Sequence, residues 1–327
     1  MRRDSLRGKK IRGRDVIESK RIKKQRIIIL STSLMILLVT ILIWFGVSKE
    51  ENNIVQASNG NNIEEVNDDK LQEIEDSKKK LDNSGYLTLE EDPNADDALI
   101  VSENTNCLIT GKKTYPVRTD GKKVAYLTFD DGPSTTITPK ILDILDKYNV
   151  KGTFFVLGSS LEKNDEAKNL LKEEAKRGHA IANHTYSHNY NYLYPGKTMN
   201  VENIVSDIEK NNEAMRNVLG KDFSTRVIRF PGGYWSWNGR VPMKEKMIEN
   251  GYCNVDWNAL NGDAEGKKKN AQELFETTKK SVEALGPNAD NIVILMHDTY
   301  EKEETAKALP QIIEYLQGKG FEFRTMK

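Results

Sequence analysis

Cysteine is nearly absent. Cys107 and Cys253 are the only two in 327 residues, which excludes a disulfide framework and leaves no spacing for a zinc–thiolate site. No internal repeat and no glycine-rich phosphate loop is visible, so solenoids and phosphate cradles are set aside. Histidine is scarce as well, at four residues, so where those four fall carries information. The net charge is zero, but only as an average over unlike regions.

Residues 1–26 hold 12 Lys/Arg against 3 Asp/Glu. Residues 27–47 (IIILSTSLMILLVTILIWFGV) hold no charge over 21 positions. A helix of that length roughly matches a 30 Å hydrocarbon core. A cleaved signal peptide is the rival reading, but its apolar region runs only about 7–15 residues. The basic flank on one side and the acidic flank on the other predict a single membrane span with a cytoplasmic tail (1–26) and an exported remainder. The basic run is thus a topology signal rather than a nucleic-acid patch. Residues 48–106 are expected to form a flexible extracellular tether: positions 50–106 carry 16 Asp/Glu and 4 Lys, with few aromatics to bury.

From 107 to 327 the pattern becomes regular. Strand-like runs fall at 124–129, 153–157, 179–183, 226–230, 253–257, 292–296 and 321–326. Helical periodicity falls near Pro139, at about 164–177, 201–219, 242–249, 270–285 and 303–317. Seven strands alternating with six helices predict an α/β domain with parallel strands, as a sheet or a barrel.

In such folds the chemistry sits at the C-terminal strand ends. Asp130 and Asp131 follow the first run, in TFDDGPS. His184 and His188 follow the third, in HTYSH; Arg229 closes the fourth, before Pro231-Gly232-Gly233. Asp263 follows the fifth, and His297 follows the sixth, in ILMHD. Adjacent aspartates in an extended strand point to opposite faces, but a turn at Gly132-Pro133 lets both aim inward. Two histidines four apart can reach one ion, and with a carboxylate and open positions they make a hydrolytic zinc set. His297 is the unused histidine on this rim, free to carry a proton near neutral pH. His179, at the opposite strand end, reads as structural.

TFDDGPS, HTYSH, RFPGG, DWNALNGD and ILMHD, in that order, resemble the motifs of the NodB-homology polysaccharide deacetylases, carbohydrate esterase family 4. The resemblance covers roughly 122–327 and implies a distorted (β/α)7-type barrel. It implies one divalent metal, usually Zn2+, held by Asp131, His184 and His188; Co2+, Ni2+ or Mn2+ also suit such ligands. Asp130 is then the general base, oriented by Arg229. His297 is the general acid, held by Asp263. A backbone N–H near Gly232 receives the oxyanion, and Leu295 and Trp257 wall the acetyl pocket. The third motif lacks the aromatic that some relatives place directly after proline. Tyr234, Trp235 and Trp237 are therefore expected either to stack on sugar or to pack as core. The implied substrate is an acetylated cell-wall polysaccharide, with N-acetylglucosamine residues of peptidoglycan foremost. An O-acetyl xylan esterase and a non-catalytic wall-binding protein are the alternatives. The oligomeric state stays open.

Overall fold

The computed structural model describes residues 85–327. The expected cytoplasmic tail, the expected span 27–47 and most of the expected tether lie outside these residues. Among the described residues, no helix is long and apolar enough to cross a membrane.

The folded domain begins before the expected boundary at 107. Strand β1 (Ala95–Asp96) and helix α1 (Ala98–Ile109) belong to it, with Ala98 and Val101 buried in its core. Asp92 and Asp96 in this stretch are not tether-like solvated charges. Asp96 binds Arg118 at 2.8 Å and Arg324 at 2.7 Å, and Asp92 binds Lys327 at 2.9 Å.

The catalytic-size sheet is built from β2 (Val124–Asp130), β3 (Thr153–Val156), β4 (Ala180–Asn183), β5 (Val227–Ile228), β6 (Cys253–Asn254), β7 (Ala259–Leu260) and β8 (Asn291–His297). Their spatial order is β6-β5-β4-β3-β2-β8-β7, all parallel. Side chains alternate across each strand. On β2, Ala125, Leu127 and Phe129 pack outward on the helices, while Val124 and Tyr126 join Phe155, Val227, Val255 and Val293 inside the curl. Every residue of β2 is buried, as expected for a strand covered on both faces.

The expected barrel is an open one. Among the described residues no ladder joins β6 to β7, so the parallel sheet curls without closing. The expected seventh strand, 321–326, is split. β9 (Glu322–Phe323) pairs with the start of β2, and β10 (Thr325–Met326) pairs with β1. Both therefore lie far from the C-terminal rim.

The expected helices are all present: α2 (Thr138–Lys147), α4 (Asp165–Lys176), α6 (Val201–Leu219), α7 (Arg240–Glu249), α8 (Ala271–Ala284) and α9 (Glu303–Gly318). Their ends follow capping chemistry. Asn164 accepts the Ala167 N–H at 2.7 Å to start α4, and Asn270 and Glu273 form a reciprocal capping box on α8. Two short helices, α3 (Gly158–Lys163) and α5 (Tyr190–Leu193), add to them.

Strand register sets the site. Asp130 lies beside Phe155 on one side and His297 on the other. Asn183 lies beside Val156 and Ile228, so His184 and Arg229, the next residues, emerge at the same rim.

Candidate metal centre and its flanking acid and base

The chain turns immediately after Asp130. Asp131 has a φ of 72°, and Thr185 and His188 also adopt positive φ, at 68° and 51°. Non-glycine residues in that region cluster where surrounding structure enforces a functional geometry. Gly132 packs directly on Asp298: a Cβ at this position would lie 2.1 Å from Asp298 Oδ2. Asp298 in turn donates its N–H to the Asp130 carbonyl at 3.2 Å and accepts from Thr138 Oγ1 at 2.5 Å. Burial pushes the Asp298 carboxyl up to about 7, with Asp131 and Asp130 adding to the effect. It serves as the buried anchor of the aspartate turn.

That turn brings Asp131, His184 and His188 together, with one ligand atom from each lying within 4.8 Å of the others. His184 Nε2 and His188 Nε2 are each 3.4 Å from Asp131 Oδ1. His184 Nδ1 sits 2.8 Å from the Arg229 carbonyl oxygen, which can only accept. That contact puts the proton on Nδ1 and turns the Nε2 lone pair toward the cluster. Asp131 Oδ1 is buried and has no hydrogen-bond donor. Burial alone would raise the Asp131 carboxyl, but His184 and the charges of His188 and His297 hold it well below the usual range. An ionised carboxylate facing two imidazole nitrogens fits a divalent cation.

Asp130 flanks this set. It is 2% exposed, its Oδ2 lies 3.8 Å from His184 Nε2, and its Oδ1 accepts from Arg229 Nη1 at 2.7 Å. Arg229 is fully buried. Its Nη1 also reaches Thr128 Oγ1 at 2.7 Å, its Nε donates to Val255 O at 2.9 Å, and its carbon Cζ lies 3.9 Å from the Phe155 ring centroid. The ring face offsets the missing acceptor at Nη2.

His297 flanks the other side, with Nε2 4.0 Å from Asp131 Oδ2. Its Nδ1 meets Asp263 Oδ1 at 2.7 Å. Asp263 is itself held by the His297 N–H at 3.0 Å and by Thr305 Oγ1 at 2.7 Å. Burial pushes the His297 pKa down, but the Asp263 bond and the charges of Asp263, Asp130 and Asp131 outweigh it, and the imidazole stands at about 9. All seven residues expected to carry metal binding and proton transfer thus share one rim.

Residues 117–249 match the family model described as polysaccharide deacetylase. A peptidoglycan-N-acetylglucosamine deacetylase of Bacillus cereus is 32% identical over 216 residues, covering 64% of this chain and 72% of the relative. The polysaccharide deacetylase family is therefore where this chain belongs. A bifunctional xylanase/deacetylase of Pseudobutyrivibrio xylanivorans is 33% identical over 209 residues, covering 64% of this chain but only 30% of that protein. The structure of a CE4 esterase from Streptococcus mutans superposes with a TM-score of 0.65 at 32% identity, covering 75% of this chain and all of that one. Family membership makes the chain a hydrolase.

Within this deacetylase domain the expected substrate-contact residues divide. Leu295 points to the inner side of β8, one pleat below His297, and Trp257 lies half-buried 5.6 Å from the Arg229 guanidinium carbon. Gly232 sits at the rim with a φ of 75°. Tyr234 and Trp235 do not join them. Both line a cleft of about 330 Å³ with α1 and α7; Trp235 Nε1 donates to Asn106 at 3.0 Å and the Tyr234 hydroxyl to the Arg240 carbonyl at 2.9 Å. Those bonds tie Trp235 to α1 and Tyr234 to the start of α7. An exposed aromatic beside the candidate metal set is Tyr190, whose ring centroid is 5.2 Å from that of His188. It lies in the stretch Asn-Tyr-Asn-Tyr-Leu-Tyr (189–194), which folds as the short helix α5, and its closeness to His188 in sequence is the signal that could have found it.

Proposed function

We propose that this chain is a metal-dependent N-deacetylase of a cell-wall polysaccharide, acting on N-acetylglucosamine residues of peptidoglycan. The observation that carries the reading is the pairing at one rim. A two-histidine, one-carboxylate set lies between an arginine-held carboxylate and a carboxylate-held histidine.

Asp131, His184 and His188 would hold the cation, with Zn2+ the foremost candidate. A bound cation supplies Lewis acidity, polarising an acetyl carbonyl and acidifying water. Asp130 accepts the proton of the attacking water, with Arg229 fixing its carboxylate so that the free oxygen faces the mouth. His297 donates a proton to the departing nitrogen, with Asp263 holding its ring. Gly232 offers a backbone N–H at the same rim for the developing oxyanion. The acid favours amide over ester substrates, because an amine departs poorly without a proton. The uncharged run 27–47 supports a single-pass anchor that leaves the domain outside the membrane.

The test is acetate release by the full chain from purified peptidoglycan, from N-acetylglucosamine oligomers and from acetylated xylan, with the deacetylated sugar identified by mass spectrometry. Release from the first two, lost on chelation and restored by Zn2+, is the expected result. Release from xylan alone makes the chain an O-acetyl esterase, the reading to which the xylanase/deacetylase relative lends weight. Binding of wall polymer with no release from any substrate makes it a wall-binding protein.

Asp263→Asn gives a pH test of the acid. His297 acts while protonated, so activity falls as pH rises through its folded pKa, about 9 against an ordinary 6.5. The stability that the His297–Asp263 pair contributes has the same sign: fully present below about 6.5 and lost as pH rises through about 9. Removing the carboxylate leaves burial opposed only by the charges of Asp130 and Asp131. The alkaline limb of kcat/KM is expected to move to lower pH, with a loss of about tenfold or more at pH 8. An unmoved limb refutes His297 as the acid.

A further inference from the structure

We propose that Tyr190 is the sugar-stacking wall of the active-site mouth, and that Gly232 is kept small so that this ring can lie over it. The inference rests on the deacetylase reading and names the surface that receives the pyranose ring.

Four observations converge on it. Tyr190 starts α5, two residues after the cation ligand His188, and its ring meets the His188 ring edge-on with centroids 5.2 Å apart. It remains 44% exposed, so a large aromatic surface faces solvent at the mouth. Its back is braced. Trp237 lies 5.4 Å behind it and stacks on Tyr194 at 4.0 Å and 13°, and Trp237 Nε1 is pinned to the Pro231 carbonyl at 3.0 Å. A Cβ on Gly232 would approach Tyr190 Cε1 and the Tyr190 hydroxyl to 3.3 Å and Trp237 Cζ2 to 3.1 Å, in a backbone conformation that already disfavours side chains.

A braced aromatic with one free face loses little conformational freedom on binding, and it presents a flat apolar surface of the size of a sugar ring. The position fixes what it meets. Tyr190 is the exposed aromatic beside the His188 imidazole, so a pyranose ring carried past that side chain meets its free face. Trp237, half-buried behind it, acts as the brace rather than as the contact. The two expected roles of that tryptophan, packing and sugar recognition, are thereby joined through Tyr190.

The experiment compares Tyr190→Phe, Tyr190→Leu and the unchanged residue in the full chain. Calorimetric titration with a tetramer of N-acetylglucosamine is run in an Asp130→Asn background, so that the ligand is not consumed. Acetate release and Zn2+ affinity are measured with Asp130 intact. Expected are a roughly tenfold weaker Kd and a matching rise in KM for Tyr190→Leu, with kcat and Zn2+ affinity held within about twofold. Tyr190→Phe should behave as the parent, since the face and not the hydroxyl makes the contact. A Tyr190→Leu protein that binds the tetramer as tightly as its parent overturns the proposal. So does one that weakens only in step with lost Zn2+, because Tyr190 would then act through His188. A parent protein that neither binds the tetramer nor releases acetate sinks the deacetylase reading beneath it.

Discussion

Replacing Asp130 by Asn in the full chain is expected to lower kcat for acetate release by about 10²–10⁴-fold while leaving the cation bound. The substitution preserves shape. The amide oxygen can still accept from Arg229 Nη1, which now reaches Oδ1 at 2.7 Å, and the side chain still fills a site that is 2% exposed. What disappears is the basic lone pair on the oxygen that faces His184. The cation set is otherwise untouched, since Asp131 supplies the carboxylate that lies 3.4 Å from both histidine nitrogens. Asp131→Asn provides the contrast. It weakens a ligand rather than the base, so cation affinity and activity should fall together, and added Zn2+ should recover part of the activity. Metal content and kcat measured on both variants separate the two aspartates. An Asp130→Asn protein that turns over at the parent rate refutes the base assignment outright.

These neighbours could be told apart before the fold was known because the chemistry lies at strand ends, and strand ends are legible. The β-runs ending at Asp130, Asn183, Ile228 and His297 are largely apolar, and each ends at or just before a polar residue assigned to the site. The helices were equally plain where a cap and a periodic stripe agreed, as at Asn164 and Asn270. Legibility failed where signals conflicted. Helix α1 carries exposed Leu99 and Ile100 beside buried Ala98 and Val101, so it shows no clean stripe, and the acidic residues around it resemble a solvated linker. Their partners Arg118, Arg324 and Lys327 are distant in sequence and come close only through the fold. Strands β6 and β7 are two residues each, too short for alternation to register, so the open seam between them could not be foreseen. The aromatic residues show the same limit. Tyr234 and Trp235 sit next to the third motif, yet their hydrogen bonds turn them toward α1 and α7, whereas Tyr190 comes beside His188 from the alternating run Asn-Tyr-Asn-Tyr-Leu-Tyr, which folds as a short helix instead of a strand.

Replacing Arg229 by Met is expected to cost about 3–5 kcal/mol of stability, because it strands a buried carboxylate without its partner charge. The guanidinium makes three bonds from a fully buried position: to Asp130, to Thr128 and to the Val255 carbonyl. It therefore ties β2, β5 and the segment after β6 together beneath the mouth. Methionine fills comparable volume against Phe155 but donates to none of these acceptors. For a domain of this size each kcal/mol moves the Tm by about 2–4 °C, so a fall of roughly 6–20 °C is expected by calorimetry. Lysine should recover only part of the loss, since one ammonium cannot span the three acceptors that the planar fork reaches. The decisive comparison is the Asp130→Asn, Arg229→Met double variant. If the cost is the uncompensated charge, neutralising Asp130 relieves it, and the double variant is more stable than Arg229→Met alone. If the two losses simply add, Arg229 holds the rim through its bonds to Thr128 and Val255, and its pairing with the base is incidental to stability.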